Sequence, residues 1–402
     1  MRHECMEFAD LIAPMSTQEF LETYWSKSPR YFGGEPTRFQ DLLPWGRLGQ
    51  ILQENRLDYP RMRLSKKGKD IPQETYLKYE TTRRGTRIPQ ISLSDLNAHL
   101  NDGCLLVVDA IDEMSPSIRM LCEKCEFVLG EHIQVNAYAG WKKTQGFSTH
   151  WDDHDVIIVQ VHGEKAWRIF QPTRDFPMYL DVENPPPPLA QPVWCGTIKA
   201  GDVLYIPRGW WHDATPTGKP TLHLTFGITN RTGMDFMAWF CERLRTNPLF
   251  RKDLSRFSSC EAQENHLSLL KQAAFNELNI LRTRHFFNDY DARAKPRVRP
   301  SLPWIVLQSE AKFDGHEIVE WVPPRRLRID RDDVSLYFHA LGKSWEFSLK
   351  ADAMLDALEK HRRLPVMALF GKGMEVGLEN AQVSAFLIEL LNNGLINVYD
   401  AI

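Results

Sequence analysis

Two histidines and an aspartate have the types and spacing of a facial metal-binding triad. His150 and Asp152 stand two positions apart just before the apolar run 156–161, and side chains two positions apart in an extended segment project from one face. His212 ends the segment GDVLYIPRGWWH, which begins at Gly201. Two imidazoles and one carboxylate leave three positions open on an octahedral metal, which is typical of non-haem Fe(II) oxygenases. Zinc hydrolases keep fewer open positions.

The other histidines near this pair are expected to play different parts. A His-x-Asp pair is common by chance, so a core or surface histidine is the alternative interpretation of His150. His154 shares the face of His150 and Asp152, but at the usual rise it lies about 13 Å along the strand from His150. We therefore expect His154 behind the ligands or facing a substrate. His162 and His223 are expected to make structural hydrogen bonds.

The segments around the triad predict a β-rich domain. From residue 131 onward, short β-rich runs alternate with Gly, Pro and Asp, which is typical of a sandwich or barrel. Short helices are expected at about 40–54 and 92–100, and the apolar run 104–112 is expected to be a buried strand. The prolines Pro185–Pro188 predict a surface loop, because proline donates no hydrogen bond to a ladder.

The pattern changes after about residue 232. Apolar residues then recur at three-and-four spacing, which predicts helices. A basic, proline-rich linker at 292–303 precedes a segment whose pattern predicts a hairpin, two helices and a short terminal strand. We therefore expect three parts, at residues 1–231, 232–298 and 299–402.

Composition and charge exclude several classes of protein. The chain has 402 residues, of which 43% are hydrophobic and 25% charged, as in folded globular proteins and unlike disordered or fibrous ones. Its 49 Lys and Arg against 52 Asp and Glu do not predict polyanion binding by the whole molecule. No apolar run approaches the roughly 18 residues of a membrane span, and the opening segment lacks a secretion pattern. We expect a cytoplasmic protein.

The cysteines do not form a recognisable framework. There are seven, an odd number at low density, so reduced thiols are expected. Cys122 and Cys125 form a CxxC without a second pair to complete a zinc site, and a buried helix face is the favoured interpretation.

Several pieces of the sequence resemble the JmjC-type cupin hydroxylases of the ribosomal oxygenase family. In chain order they are Asn136, Tyr138, Gln145-Gly146-Phe147, His150, Asp152, Lys165, Trp167, Arg168, His212 and Leu222–Thr225. The resemblance covers roughly residues 10–230 and consists of motifs that recur in order at compatible spacing. Beyond that range it is architectural only.

The resemblance implies an α+β protein built on a double-stranded β-helix, the cupin or JmjC jelly roll. N-terminal helices, a helical dimerisation segment and a C-terminal winged-helix-like module would complete it. It also implies an enzyme that uses Fe(II), O₂ and 2-oxoglutarate as metal and co-substrates. The iron ligands would then be His150, Asp152 and His212.

Three further residues are implied in co-substrate binding. Lys165 would hold the distal carboxylate of 2-oxoglutarate, and a lysine on the next strand is a suitable point charge for that role. The alternative is a solvated hairpin residue, since Gly163-Glu164-Lys165 looks like a turn. Asn136 and Thr225 could donate hydrogen bonds to 2-oxoglutarate or merely satisfy neighbouring strands.

The resemblance implies a protein substrate, a ribosomal protein in the first place, and a homodimeric enzyme. An enzyme that tailors a peptide natural product would carry the same iron site, and a non-catalytic metal-binding cupin acting as scaffold or regulator is the alternative from another class. Direct nucleic-acid recognition is not expected, because acidic residues dilute the basic runs near residues 293–331. Four tryptophans could line a substrate groove or pack beside it: Trp141, Trp151, Trp210 and Trp211.

Overall fold

The computed structural model describes residues 6–181, 191–297, 299–307 and 313–400. The predicted loop Pro185–Pro188 lies outside these residues. The chain divides into two compact units, Met1–Asn230 and Arg231–Ile402. The further boundary at residue 299 stays a prediction. Across the described ranges, no helix is both long enough and apolar enough to cross a membrane.

The first unit contains five short α-helices, all before residue 130, and a run of strands. Its helices are α1 (Phe8–Ile12), α2 (Thr17–Thr23), α3 (Trp45–Glu54), α4 (Leu93–Asn101) and α5 (Pro116–Leu129). Its strands are β1 (Arg30–Phe32), β2 (Met62–Lys66), β3 (Lys69–Asp70), β4 (Leu77–Thr81), β5 (Arg87–Ile91), β6 (Leu105–Val108), β7 (His132–Gly140), β8 (Asp155–His162), β9 (Glu164–Phe170), β10 (Trp194–Lys199), β11 (Val203–Ile206), β12 (Trp211–Pro216) and β13 (Thr221–Thr229).

Two antiparallel sheets position the predicted ligands. The larger sheet has the order β1-β11-β8-β13-β7-β6-β2-β3, and the smaller one has the order β10-β9-β12. Strand β8 is buried on both faces, which explains its continuous apolar run. Ile157 and Val159 face the core shared with the N-terminal helices, whereas Val156 and Ile158 pack with Trp167 and other side chains of the smaller sheet.

The structure corrects the expectation for the N-terminal region. Sequence patterns there indicated helices and turns, but residues 30–91 also contribute the five strands β1–β5. The β4–β5 hairpin is largely exposed and polar, so it carries no alternation of apolar residues that would reveal a strand.

The run 104–112 is a strand only as far as Val108, because Ala110 adopts a left-handed backbone (φ 51°) before a short 3-10 turn.

The CxxC lies on a buried helix face, as expected. Cys122 and Cys125 are both buried on α5, and the Cys122 thiol donates a hydrogen bond to the Ile133 carbonyl at 3.4 Å. Their spacing therefore reflects the packing of α5 against β7.

The second unit is helical at first and mixed thereafter. Its helices are α6 (Gly233–Leu244), α7 (Pro248–Arg251), α8 (Cys260–Ile280), α9 (Thr283–Ala292), α10 (Trp304–Leu307), α11 (Asp352–His361), α12 (Val366–Glu375) and α13 (Asn380–Asn392). Its strands are β14 (Ile318–Trp321), β15 (Asp330–Arg331), β16 (Ser335–Ala340), β17 (Lys343–Ser348), β18 (Arg363–Pro365) and β19 (Ile396–Tyr399).

The predicted hairpin is β16–β17, and the predicted terminal strand is β19. The expectation of two helices between them was wrong, since there are three, α11 to α13. Left-handed residues separate them, Arg362 after α11 and Gly377 after α12, and such residues end helices. The winged-helix-like character of this region stays a prediction.

Candidate metal centre

The structure brings the three predicted ligands together. One oxygen of the Asp152 carboxylate lies 3.7 Å from His150 Nε2, and the other lies 3.5 Å from His212 Nε2. The three ligand atoms fall within 4.8 Å of one another, and this is the cluster in the described ranges that could hold a metal ion. Two nitrogens and one oxygen suit a divalent transition metal.

Backbone hydrogen bonds hold the ligands at this spacing. His150 and His212 form an antiparallel bridge in which each amide donates to the other residue's carbonyl, at 3.1 and 2.7 Å. The amide of Gly209 donates to the Asp152 carbonyl at 3.0 Å. The segment before β8 and the start of β12 are therefore fixed in register, which places a ligand from each beside the other.

Side chains on the opposite face lock the same two segments. Asp213 follows His212 and accepts two hydrogen bonds from Arg168, at 2.9 and 2.7 Å. Thr149 precedes His150 and donates to the same carboxylate at 2.7 Å. Sequence analysis missed Asp213 and Thr149, although their position next to the ligands on the other face of the strand is a signal that could have found them.

The protonation states fit metal binding. The Nδ1–H groups of His150 and His212 donate to the carbonyls of Ser148 and Trp210, at 2.8 and 3.0 Å, which directs both Nε2 lone pairs toward Asp152. Burial, assisted by the nearby His150, lowers the pKa of His212 to about 4. Burial by itself raises the pKa of Asp152. The neighbouring imidazoles lower this pKa by more than burial raises it, so the pKa of Asp152 lies below its usual value. Neutral imidazole and ionised carboxylate are the forms that bind a metal.

A cavity of about 310 Å³ opens from this cluster into the space between the sheets. Its walls come from β7, β8, β9, β12 and β13, with additions from β2, β6 and the loop 146–154. Lys165, Asn136 and Thr225 line it together with the triad. The residues that the sequence assigned to a metal and a co-substrate therefore line one cavity.

Lys165 lies inside the barrel rather than at a hairpin tip. It belongs to β9, and only 3% of its surface is exposed. Burial lowers its pKa from 10.5 to about 7, and no acidic neighbour offsets this effect among the described residues. The alternative of a solvated hairpin residue was therefore wrong. The part of Lys165 in binding an anionic co-substrate stays a prediction.

Asn136 and Thr225 form a cross-strand pair on β7 and β13. The Asn136 side-chain oxygen accepts hydrogen bonds from the Ala110 amide at 2.9 Å and the Gln134 side chain at 3.0 Å. Its oxygen is therefore occupied, and its amide N–H group is the part suited to a ligand.

His154 and His162 lie where the sequence predicted. His154 is outside the triad but lines the cavity, with its Nδ1 bonded to the Asp153 carboxylate at 2.9 Å and its ring against Gly227. Burial by itself lowers the pKa of His154. The carboxylates of Asp153 and Asp152 raise this pKa by more than burial lowers it, so it lies above its usual value. His162 makes the expected structural hydrogen bond, to the Leu43 carbonyl at 3.1 Å.

The expectation for His223 was wrong. Its Nδ1 is buried and makes no hydrogen bond within the described part of the chain, and its ring lines the cavity. None of the four tryptophans Trp141, Trp151, Trp210 and Trp211 lines this cavity, and their place in a substrate groove stays a prediction. Trp167 lines it instead. Strand periodicity identifies which side chains share a face, but not which face encloses a cavity.

Comparison with known proteins shows what this chain is similar to. Residues 111–236 match the family model of the JmjC domain. Similar curated proteins include the bifunctional lysine-specific demethylase and histidyl-hydroxylase NO66 of Drosophila persimilis, 29% identical over 231 residues, and that of Caenorhabditis elegans, 28% identical over 228 residues. Each alignment covers 54% of this chain, and 31% and 29% of the respective relative. The chain spans about a third of the length of these relatives.

Solved structures extend the likeness to most of the chain. The ribosomal oxygenase YcfD of Escherichia coli superposes with a TM-score of 0.59 at 18% identity, covering 98% of this chain and 99% of the other. The same protein in complex with cobalt and 2-oxoglutarate gives a TM-score of 0.60 at 18% identity, covering 96% and 98%. The fold is therefore the mixed α+β JmjC or cupin fold that the sequence predicted. Residues 111–236 therefore form a JmjC domain, and the H-x-D…H triad lies within it.

Proposed function

We propose that this chain is an Fe(II)- and 2-oxoglutarate-dependent hydroxylase that acts on a side chain of a protein, with ribosomal proteins as the first candidate substrates. One observation carries the proposal. The cavity that contains the triad of His150, Asp152 and His212 also contains the buried ammonium group of Lys165. A metal site alone does not require that cation, whereas an anionic co-substrate beside the metal does.

The proposed chemistry divides between the metal and the chain. Fe(II) bound by His150, Asp152 and His212 would supply the oxidation of 2-oxoglutarate by O₂ to succinate and CO₂, with the second oxygen atom going to a substrate C–H bond. Lys165 binds the distal carboxylate, which orients the 2-oxo acid end toward the triad. The cavity walls restrict water around these groups, and low water content strengthens the pairing of Lys165 with its carboxylate.

The substrate class rests on the relatives. NO66 is named as a histidyl-hydroxylase and YcfD as a ribosomal oxygenase, and this chain shares the fold of the latter over both units. An enzyme that tailors a peptide natural product would use the same cavity. A non-catalytic scaffold would have no need of Lys165 beside the metal ligands.

Intact-mass analysis tests the proposal. The protein, Fe(II), 2-oxoglutarate and purified ribosomal proteins are incubated in air, and we expect one ribosomal protein to gain one oxygen atom. Succinate formation without a modified protein would favour a peptide or small-molecule substrate. If the protein binds the metal but forms no succinate with any substrate pool, the result would favour the non-catalytic scaffold.

Co-substrate affinity is expected to fall as the pH rises above neutrality. The pKa of Lys165 in the free protein is about 7, and binding a carboxylate requires the charged ammonium group. Above that pKa, binding must take up a proton, so Kd for 2-oxoglutarate should rise by up to about tenfold per pH unit. Anaerobic calorimetry with Mn(II) between about pH 7 and 8.5 measures this.

Lys165→Arg is the matched control for this titration. The guanidinium group stays charged over the whole range, so its Kd should change little with pH even if it is weaker than that of the unsubstituted protein. Equal pH dependence in both proteins would assign the titration to another group.

The helices of residues 232–290 are expected to mediate a homodimer. On α6, Phe240 and Leu244 pack with Leu281 in a small internal cluster, whereas Met234 stays exposed. Helix α8 has no buried residue. Its exposed apolar side chains are Leu267, Leu269, Phe275, Leu278 and Ile280. A symmetric partner would cover this surface.

Light scattering at micromolar concentration tests the dimer. We expect the unsubstituted protein to be dimeric, and the double substitution Leu269→Lys and Phe275→Lys to make it monomeric. Leu254→Lys serves as the control, because Leu254 is exposed but lies outside the helices. A monomeric unsubstituted protein would show the prediction to be wrong.

The cytoplasmic location stays a prediction.

A further inference from the structure

Four exposed lysines lie on two adjoining loops of the first unit. Lys67 forms part of the β2–β3 turn and Lys69 begins β3, whereas Lys142 and Lys143 lie in the loop that follows β7. All four are exposed, and none of them forms an ion pair within the described ranges. We call these four residues the lysine rim.

Backbone hydrogen bonds join the two loops. The Lys67 amide donates to the Gln145 carbonyl at 2.8 Å, and the next amide, of Gly68, donates to the Gly146 carbonyl at 2.7 Å. Both turn residues have a left-handed backbone, with φ 52° and 77°, as a two-residue hairpin turn requires. A Cβ on Gly68 would lie 2.0 Å from Ser148 Oγ, so glycine permits this close approach. The β2–β3 turn is therefore fixed against the loop that leads to the metal ligands.

The cavity opens to solvent beside these loops. The His150 side chain is 42% exposed, whereas that of His212 is 7% exposed, so the metal cluster is reached from the side of His150. The loop 141–149 leads directly into His150, and its residues Gly146 and Phe147 line the cavity. A side chain that enters the cavity therefore passes beside this loop, and its neighbours in the same polypeptide reach the lysine rim.

Acidic residues beside the lysine rim are engaged by other cations. Asp102 pairs with Lys66. Asp70 pairs with Arg63, with 3.6 Å between Oδ2 and Nη1. The whole chain has a net charge of −3, so the positive charge at this place is a local feature. Like charges gathered at the mouth of a cavity focus a field that attracts the opposite charge.

We propose that the lysine rim binds acidic residues that flank the target side chain in the substrate protein. The proposal rests on the proposed function and names the kind of segment that the enzyme accepts. An extended polypeptide advances about 3.3 Å per residue, so residues within a few positions of the target pass the rim. A lysine ammonium group is a compact point charge on a flexible stem. The rim therefore selects acidic segments by their charge and does not require one exact sequence.

Lysine ammonium groups can bind the phosphates of a nucleic acid as well as carboxylates. A polypeptide is the favoured partner here, because the cavity beside the rim would receive one of its side chains. Its flanking carboxylates then reach the rim in the same binding event. Each exposed ion pair contributes little by itself, but four cations of one sign raise the local concentration and the association rate of an acidic partner.

Fluorescence anisotropy with three labelled peptides tests the rim. In each peptide, glycine alternates with glutamate, glutamine or lysine around a central histidine. The full chain is loaded anaerobically with Mn(II) and 2-oxoglutarate, so that binding is measured without turnover. At about 0.05 M salt we expect the glutamate peptide to bind at least about tenfold more tightly than the glutamine peptide, and the lysine peptide to bind most weakly. At about 0.5 M salt most of this difference should be lost, because exposed charges are screened.

Charge reversal of the whole rim is the decisive variant. It combines Lys67→Glu, Lys69→Glu, Lys142→Glu and Lys143→Glu, and we expect it to weaken binding of the glutamate peptide by about tenfold to a hundredfold at low salt. Its affinities for Mn(II) and 2-oxoglutarate should change by less than about twofold, because none of these residues lines the cavity.

The matched control reverses four exposed charges in the β4–β5 hairpin, which forms a separate two-stranded sheet and adds no residue to the cavity wall. It combines Lys78→Glu, Arg83→Glu, Arg84→Glu and Arg87→Glu. This variant changes the net charge by the same amount, and we expect it to bind the glutamate peptide within about threefold of the unsubstituted protein. An equal loss in both variants would show that net charge, and not the rim, attracts the peptide.

Three further results would overturn the proposal. The first is equal or undetectable binding of the three peptides by the unsubstituted protein. The second is a preference for the glutamate peptide that survives charge reversal of the rim. The third is tighter binding of a labelled oligouridylate than of the glutamate peptide, lost on charge reversal, which would assign the rim to a nucleic acid. Failure of the proposed function is a separate result, because absence of succinate with every substrate pool leaves the anisotropy measurement unaffected.

Discussion

Asp152→Ala is expected to abolish 2-oxoglutarate turnover while leaving the fold intact. Asp152 supplies the carboxylate of the cluster, with one oxygen near each histidine Nε2, and two neutral imidazoles alone bind Fe(II) poorly. Its carbonyl, which accepts from the Gly209 amide, is unaffected by the substitution, so the local register should persist. Succinate formation should fall to background, and calorimetry should show weak Mn(II) binding.

Asp153→Ala is the matched control, because Asp153 is the adjacent carboxylate and bonds to His154 instead of facing the cluster. We expect it to keep Mn(II) binding. His212→Ala should behave like Asp152→Ala, whereas His154→Ala should retain the metal. Loss of metal in His154→Ala but not in His212→Ala would show that the ligand set is wrong.

Lys165→Ala is expected to weaken 2-oxoglutarate binding by about thirty-fold to a thousand-fold, because it leaves a carboxylate unpaired in a desolvated cavity at a cost on the order of 2 to 4 kcal/mol. Mn(II) affinity should change little, since the triad is intact. Lys165→Arg should be milder, because it keeps the charge but needs more room. Anaerobic calorimetry with Mn(II) gives both constants without turnover.

Lys199→Ala is the control for removal of a lysine. Lys199 is an exposed residue at the end of β10, so its loss should not change 2-oxoglutarate affinity. Unchanged affinity in Lys165→Ala would remove the basis for an anionic co-substrate in this cavity. It would favour the scaffold alternative.

Much of the metal centre could be predicted from the sequence, because the signals are local. The two-residue spacing of His150 and Asp152, and the strand and turn that precede His212, are properties of short segments. The β-rich domain and the helices α6 and α8 follow from periodicity in the same way. The N-terminal hairpins escaped prediction for two reasons: β2 is short and pairs with the distant strand β6, and β4–β5 is largely exposed and polar.

The tertiary structure alone decided which side chains meet in the cavity. Lys165 has the local sequence of a turn, yet the smaller sheet buries it, and no carboxylate among the described residues offsets the effect of burial on its pKa. His223 and Trp167 line the cavity although the sequence assigned neither to the site, because the face that encloses a cavity is known only when the two sheets are placed. Strand alternation assigns a residue to one of two faces, but burial, and with it the pKa of Lys165, depends on what the rest of the chain packs against that face.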